Sequence, residues 1–130
     1  MKYLLDTNAL IAIMKGNAGM LERLHQHQPG DFGMPSVVAH ELYFGAYRSQ
    51  RAKENLRRVE ALRFELLDFE RKDARCAGQL RAVLAAQGAP IGPYDILIAG
   101  QAWARGLTLI SRNVREFQRI NQISVENWET

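Results

Sequence analysis

The chain has a single cysteine, Cys76, so no disulfide can form within it. That excludes a disulfide-stapled scaffold and makes a reducing compartment, the cytoplasm, the expected setting. Histidine is as scarce, with only His25, His27 and His40. His25 and His27 stand two apart and share no helix face, and His40 lies beside Glu41 and points elsewhere. A histidine-based metal site is therefore not expected. Long apolar runs are missing too. The stretch Ala9 to Met14 is too short to span a bilayer, and Asp6 and Asn8 stand where the apolar region of a signal peptide would be. No internal repeat or low-complexity segment is visible.

What is present is ordinary in bulk. The 130 residues are 47% hydrophobic and 24% charged, which predicts one domain over residues 1–130 with one core. Seventeen Lys and Arg against fourteen Asp and Glu leave a net charge of +3. That is either a plain solubility charge or, with some acids neutralised by metal, a basic surface suited to a polyanion.

Periodicity and punctuation predict alternating strands and helices. Lys2 to Asp6 reads as a short strand. Thr7 or Asn8 caps a helix through Met14 that stops near Gly16. A second helix covers Gly19 to His27, and Pro29-Gly30-Asp31 is a loop. A strand from Phe32 to Pro35 leads to Ser36, read as the cap of a helix from Val37 to Arg48. Arg51 to Leu62 is strongly amphipathic. Glu65 to Phe69 is a strand, and Arg71 to Gln87 a long helix closed by Gly88. Pro93 opens a helix through Arg105 that Gly106 closes. Leu107 to Ile110 is a buried strand, Asn113 to Phe117 a helical turn, and Ile123 to Val125 a last strand. Strands separated by helices imply an α/β fold, with a central, mainly parallel sheet between two helical layers.

In such sheets the site lies beyond the carboxyl ends of the strands. Asp6 follows directly on apolar strand residues; the competing account makes it a helix cap. Glu41 shares its helix face with Val37, Val38, Phe44 and Gly45, an expensive place for an unpaired carboxylate. Asp95 lies in the first turn of an apolar helix. Asn113 and Glu116 follow the buried strand and share a face; the competing account makes them a cap and a capping box. Oxygen ligands without His or Cys suit Mg²⁺ or Mn²⁺. Carboxylates brought together repel one another, and a cation relieves that. Spacing alone does not show that they meet.

These pieces carry a resemblance. Leu4-Leu5-Asp6-Thr7-Asn8, Ser36 with Glu41-Leu42 and Gly45-Ala46, Gly92-Pro93-Tyr94-Asp95 with Ile98-Ala99, and Ser111-Arg112-Asn113 with Glu116-Phe117 occur in that order over essentially the whole chain. Together they resemble the PIN-domain ribonucleases, most closely the VapC toxins of bacterial toxin–antitoxin pairs. The resemblance implies a three-layer α/β/α PIN-like fold, an Mg²⁺- or Mn²⁺-dependent endoribonuclease, a homodimer and a cognate VapB-type antitoxin. It implies tRNA, including initiator tRNA, as substrate. Asp6, Glu41 and Asp95 match the acidic positions of the family and become the expected metal ligands. The fourth position, where many members carry Asp, holds Asn113, and Glu116 is expected to supply the charge there. Thr7, Asn8, Ser111 and Asn113 are expected to orient the carboxylates.

The basic stretch with Arg48, Arg51 and Lys53, followed by Arg57 and Arg58, is a candidate phosphate grip or a solvated helix face. Tyr47, Phe44 and Trp103 are candidate base-stacking aromatics, with a core role expected for Phe44 and Trp103. Two other function classes stay open on sequence. One is a phosphatase using Asp6 as nucleophile, although Asn8 stands where its second Asp belongs. The other is a non-catalytic nucleic-acid-binding module of the same fold.

Overall fold

The computed structural model of the chain describes residues 1–130. Five strands, β1 (Tyr3–Leu5), β2 (Phe32–Pro35), β3 (Glu65–Leu67), β4 (Thr108–Ile110) and β5 (Val125–Glu126), form one sheet in the order β3-β2-β1-β4-β5. Every neighbouring pair is parallel. The helices are α1 (Thr7–Met14), α2 (Ala18–His25), α3 (Ser36–Arg48), α4 (Ala52–Glu60), α5 (Arg71–Ala86), α6 (Pro93–Arg105) and α7 (Val114–Phe117). No helix is long and apolar enough to cross a membrane.

The chain builds outward from β1 to β2 and β3, then returns to the other side of β1 with β4 and β5. That reversal makes the gap between β1 and β4 a switch point, where the connections leave the sheet in opposite directions and a crevice opens at the strand tips. The two strands flanking it are buried on both faces. Leu4, Leu5, Leu109 and Ile110 have no exposed surface, which is why they read as continuous apolar runs. α6 carries the buried stripe Ile96, Ile98, Ala99, Gly100 and Ala102. It lies tightly on α5, for a Cβ at Gly100 would stand 2.5 Å from the Cα and Cβ of Ala77. Gly106 ends α6 at φ 64°, a left-handed closure that glycine takes without strain.

Several local expectations change. The cap of α1 is Asp6 rather than Thr7 or Asn8, because its carboxylate reaches the Ala9 amide at 2.9 Å. Ser36 is the first residue of α3 rather than its cap, and Pro35 takes the cap position without a side-chain bond. Pro29–Asp31 forms a 3₁₀ turn. The third strand ends at Leu67, and the last one is shifted to Val125–Glu126, paired with Leu109 and Ile110. Phe44 is not a core residue: it is 61% exposed, and the buried stripe of α3 is Val38, Ala39, Leu42 and Ala46. Glu41 therefore sits on the flank of that stripe and not within it, which is a cheaper place for a carboxylate. Trp103 is half-buried and packs on the core.

Candidate active site

The crevice gathers acids from four separate places. Asp6 follows β1 and Asp95 sits in the first turn of α6. Glu41 comes from the middle of α3, and Glu116 from α7, just beyond β4. Each is anchored by its own partners. The Thr7 hydroxyl donates to Glu41 Oε1 at 2.8 Å. The Asn113 side-chain amide donates to Glu116 Oε2 at 2.9 Å, and the Gly92 amide donates to Glu116 Oε1 at 3.1 Å. Ser111, itself buried, hydrogen-bonds Asp6 and accepts from the Asn113 amide at 2.9 Å. Asn113 and Glu116 thus form no capping box. The Asn113 amide goes to Ser111, which leaves the Glu116 carboxylate free to face Asp95.

The electrostatics follow from that convergence. Burial pushes Asp6 above the ordinary carboxylate value, outweighing its bonds from Ser111 and Ala9, and the charges of Glu129 and Glu41 add to the rise. Asp95 is pushed up to about 7, by burial first and then by Glu116, with which it shares a hydrogen bond; Asp6 and Glu41 repel it as well. Burial acts upward on Glu116 too, but its bonds from Asn113, Gly92 and Asp95 hold it below its ordinary value. Asp95 is thus the more basic carboxyl of the pair. No Lys or Arg forms an ion pair with Asp6, Glu41, Asp95 or Glu116.

The remaining candidates divide. Thr7, Ser111 and Asn113 each touch an acid of the cluster. Asn8 does not; its Oδ1 accepts from Arg112 at 3.3 Å. Arg48, Arg51 and Lys53 are exposed on the end of α3 and the start of α4. The Arg48 guanidinium covers the Phe44 ring at 5.2 Å, and Arg51 stands 3.8 Å from Glu54. Sequence reasoning missed two participants. One is the Gly92 backbone, whose amide holds Glu116. The other is Glu129, close enough to Asp6 to repel it, with Oε2 buried and unbonded. Neither carries a sequence signal, since one acts through its backbone and the other lies in an irregular tail.

The model of the PIN domain matches residues 3–123. The chain belongs to the PIN-domain family. This PIN domain is 40% identical to the tRNA(fMet)-specific endonuclease VapC of Shigella flexneri and 38% identical to that of Salmonella typhimurium, with 98% of each chain covered. Its fold superposes on the crystal structure of DNA-bound VapBC from Salmonella typhimurium with a TM-score of 0.94 at 40% identity, covering 98% of both chains. VapBC2 from Rickettsia felis, bound to a DNA fragment from its promoter, gives 0.91 at 31% identity, over 99% of this chain and 100% of that one.

The acids of this PIN domain fit a hard divalent cation. The donor set is all oxygen. It is negative, and the charge of Arg119 acts on Glu116 without forming an ion pair, so the fold bears repulsion that a bound ion would relieve. Gly92 keeps space open beside it: a Cβ there would lie 3.3 Å from Asp95 Oδ2 and 3.9 Å from Glu116 Oε1. No three His, Cys, Asp or Glu side chains form a ready-made cage.

Proposed function

We propose that this PIN domain is the divalent-metal-dependent endoribonuclease of a toxin–antitoxin pair, acting on tRNA, including initiator tRNA. The observation that carries this is the convergence of Asp6, Glu41, Asp95 and Glu116 at the switch point, with Asp95 raised to about 7 and no ion pair to any of them. The VapC relatives supply the substrate class, and the VapBC structures supply the partner, a VapB-type antitoxin. The toxin works in the cytoplasm as a homodimer, with Mg²⁺ or Mn²⁺.

Asp6, Glu41 and Asp95 would hold the ion. When bound, the cation supplies charge stabilisation at the reacting phosphate and an acidified water as nucleophile. The protein's own part is positional. Ser111 and the Ala9 amide fix Asp6. Thr7 fixes Glu41. Glu116, held by Asn113 and Gly92, orients Asp95 and draws its proton into a shared hydrogen bond. No side chain is needed as a covalent nucleophile. The groove of about 480 Å³ between α1, α3 and α4, lined by Ile11, Met14, Leu42 and Val59 with Glu41 at its edge, receives the antitoxin. The antitoxin blocks the site by directing a cation at the carboxylates. Incubating purified protein with a tRNA pool and Mg²⁺ or Mn²⁺, against the same mixture with a chelator, tests the reading. Discrete metal-dependent fragments are expected. An intact pool, or a phosphorylated Asp6, overturns it.

A further inference from the structure

The RNA-facing cations expected from sequence lie on the end of α3 and on α4, but the larger free charge lies on α5. Arg71, Lys72, Arg75 and Arg81 are all exposed, and none forms an ion pair with an acid of the chain. The acids nearest to them are engaged. Asp73 is buried against Arg105 at 3.0 Å, and Glu70 accepts from an amide in the first turn of α5. On α4, Glu54 stands 3.8 Å from Arg51 and 3.6 Å from Arg58, while Lys53 and Arg57 are exposed without an ion pair. Four exposed and unpaired cations make α5 a positive surface.

With about 3.6 residues per turn, Arg81 is turned half way round α5 from Lys72, so these cations stand on two flanks of the helix. Arg81 lies beside Pro93 and Ile96, at the end of α6 that carries Asp95. Arg71, Lys72 and Arg75 lie ~9–15 Å further along the helix by its rise per residue. They surround a depression of about 530 Å³ that also holds Gln79 and Trp103. The exposed residues between them include Ala74 and Gly78, which leave a polymer backbone free to approach. Guanidinium groups match phosphate, and a half-buried indole offers a face for a base. A second copy of this chain is a poor occupant, since two such faces would set like charges against each other.

We propose that the exposed face of α5 binds the phosphate backbone of the RNA substrate away from the cleaved bond and stacks an unpaired base on Trp103. The choice of RNA rests on the ribonuclease reading above. The test is binding of a tRNA pool by fluorescence anisotropy in EDTA, where nothing is cut, across a salt series. It compares the wild type with Arg71→Gln/Lys72→Gln/Arg75→Gln. All three positions are exposed, and matching thermal unfolding curves establish that the variant is folded. The triple variant is expected to bind about tenfold more weakly, with a salt slope shallower by about two to three, roughly one for each phosphate that is no longer neutralised. In Trp103→Leu, RNA no longer quenches the tryptophan emission, because the other tryptophan, Trp128, is buried. Equal affinity and equal slope in the triple variant overturn the proposal. So does a triple variant that keeps its RNA affinity but loses binding to poly-glutamate, which marks the face as a dock for an acidic protein. The two readings fail separately. A wild type that cuts the pool while the variant binds unchanged loses only the α5 binding face. A wild type with α5-dependent binding that never cuts with Mg²⁺ or Mn²⁺ loses only the ribonuclease.

Discussion

Two aspartates are buried in this molecule, Asp6 and Asp73, and the fold treats them in opposite ways. Burial acts upward on both. At Asp73 it is overcome: Arg105 donates from Nη2 at 3.0 Å and from Nε at 3.3 Å, Gln101 donates at 3.2 Å, and the Glu70 amide donates at 2.8 Å. Its carboxyl is held below the ordinary range, and the Arg105 guanidinium is raised in turn. At Asp6 burial wins, because the partners are one amide and one hydroxyl and the nearby charges are negative. A carboxylate with a complete set of partners joins α5 to α6 and has nothing left to offer a ligand. A carboxylate with neutral partners and like-charged neighbours costs stability and keeps its affinity for an outside cation. The difference between them separates an acid satisfied within the fold from one that is not, without reference to any relative.

The largest effect is expected at the closed pair. Asp73→Ala leaves the Arg105 guanidinium without its main partner and costs about 3–5 kcal/mol of stability, read by denaturant unfolding. RNA cleavage per folded molecule stays at the wild-type level. If cleavage falls instead, Asp73 is not purely structural and the contrast fails. Asp6→Asn should do the reverse. Cleavage of tRNA drops a hundred- to a thousandfold, the scale of losing one electrostatic anchor at a reacting centre. Stability in metal-free buffer holds or rises, because a repelled charge is gone.

Glu116→Gln separates charge from geometry within the cluster. Gln still accepts from Asn113 and Gly92 but carries no charge. Metal affinity and cleavage are expected to fall ten- to a hundredfold with little change in thermal stability. Asn113→Asp in that background restores a carboxylate and part of the activity. Wild-type cleavage by Glu116→Gln across a Mg²⁺ titration would reduce Glu116 to a structural residue.

The smallest effects lie in the pH dependence of stability, and the two regions have opposite signs. Asp73 has a depressed folded value. Its contribution is complete above the unfolded value of about 4 and is lost as pH falls through the folded one. Asp95 has a folded value raised to about 7. Its protonated form favours the fold, so metal-free protein loses stability as pH rises from about 4 to 7 and then levels off. Saturating Mg²⁺ should remove that decline, and Asp95→Asn should remove its larger part without metal, leaving the part that comes from the raised Asp6. Unfolding curves collected between pH 3 and about 8 read both windows.

Much of this was legible along the chain, for reasons local to each segment. Gly106 and Pro93 bracket α6 by backbone conformation alone, and both held. The apolar runs before Asp6 and Ser111 read as buried strands because central parallel strands are covered on both faces. What failed were choices between near-equivalent neighbours. Asp6, Thr7 and Asn8 are all able to cap a helix, and only the direction of the side chain at the strand tip selected Asp6. Phe44 read as core because a 3.6-residue period tolerates a face rotated by one position, and the rotation was visible only once α3 lay on the sheet.

The chain by itself determined the order of strands and helices and the spacing of the acids, because hydrophobic period, capping chemistry and turn residues act over a few positions. Tertiary structure decided the strand order, and with it the switch point between β1 and β4. It also decided that Glu116 faces Asp95 rather than its own helix cap, that Glu129 stands close to Asp6, and that the cations of α5 are free while Asp73 is not. These are relations between residues tens of positions apart. No local rule reaches that far, and they come into being only when the sheet closes and burial assigns each charge its partner or leaves it without one.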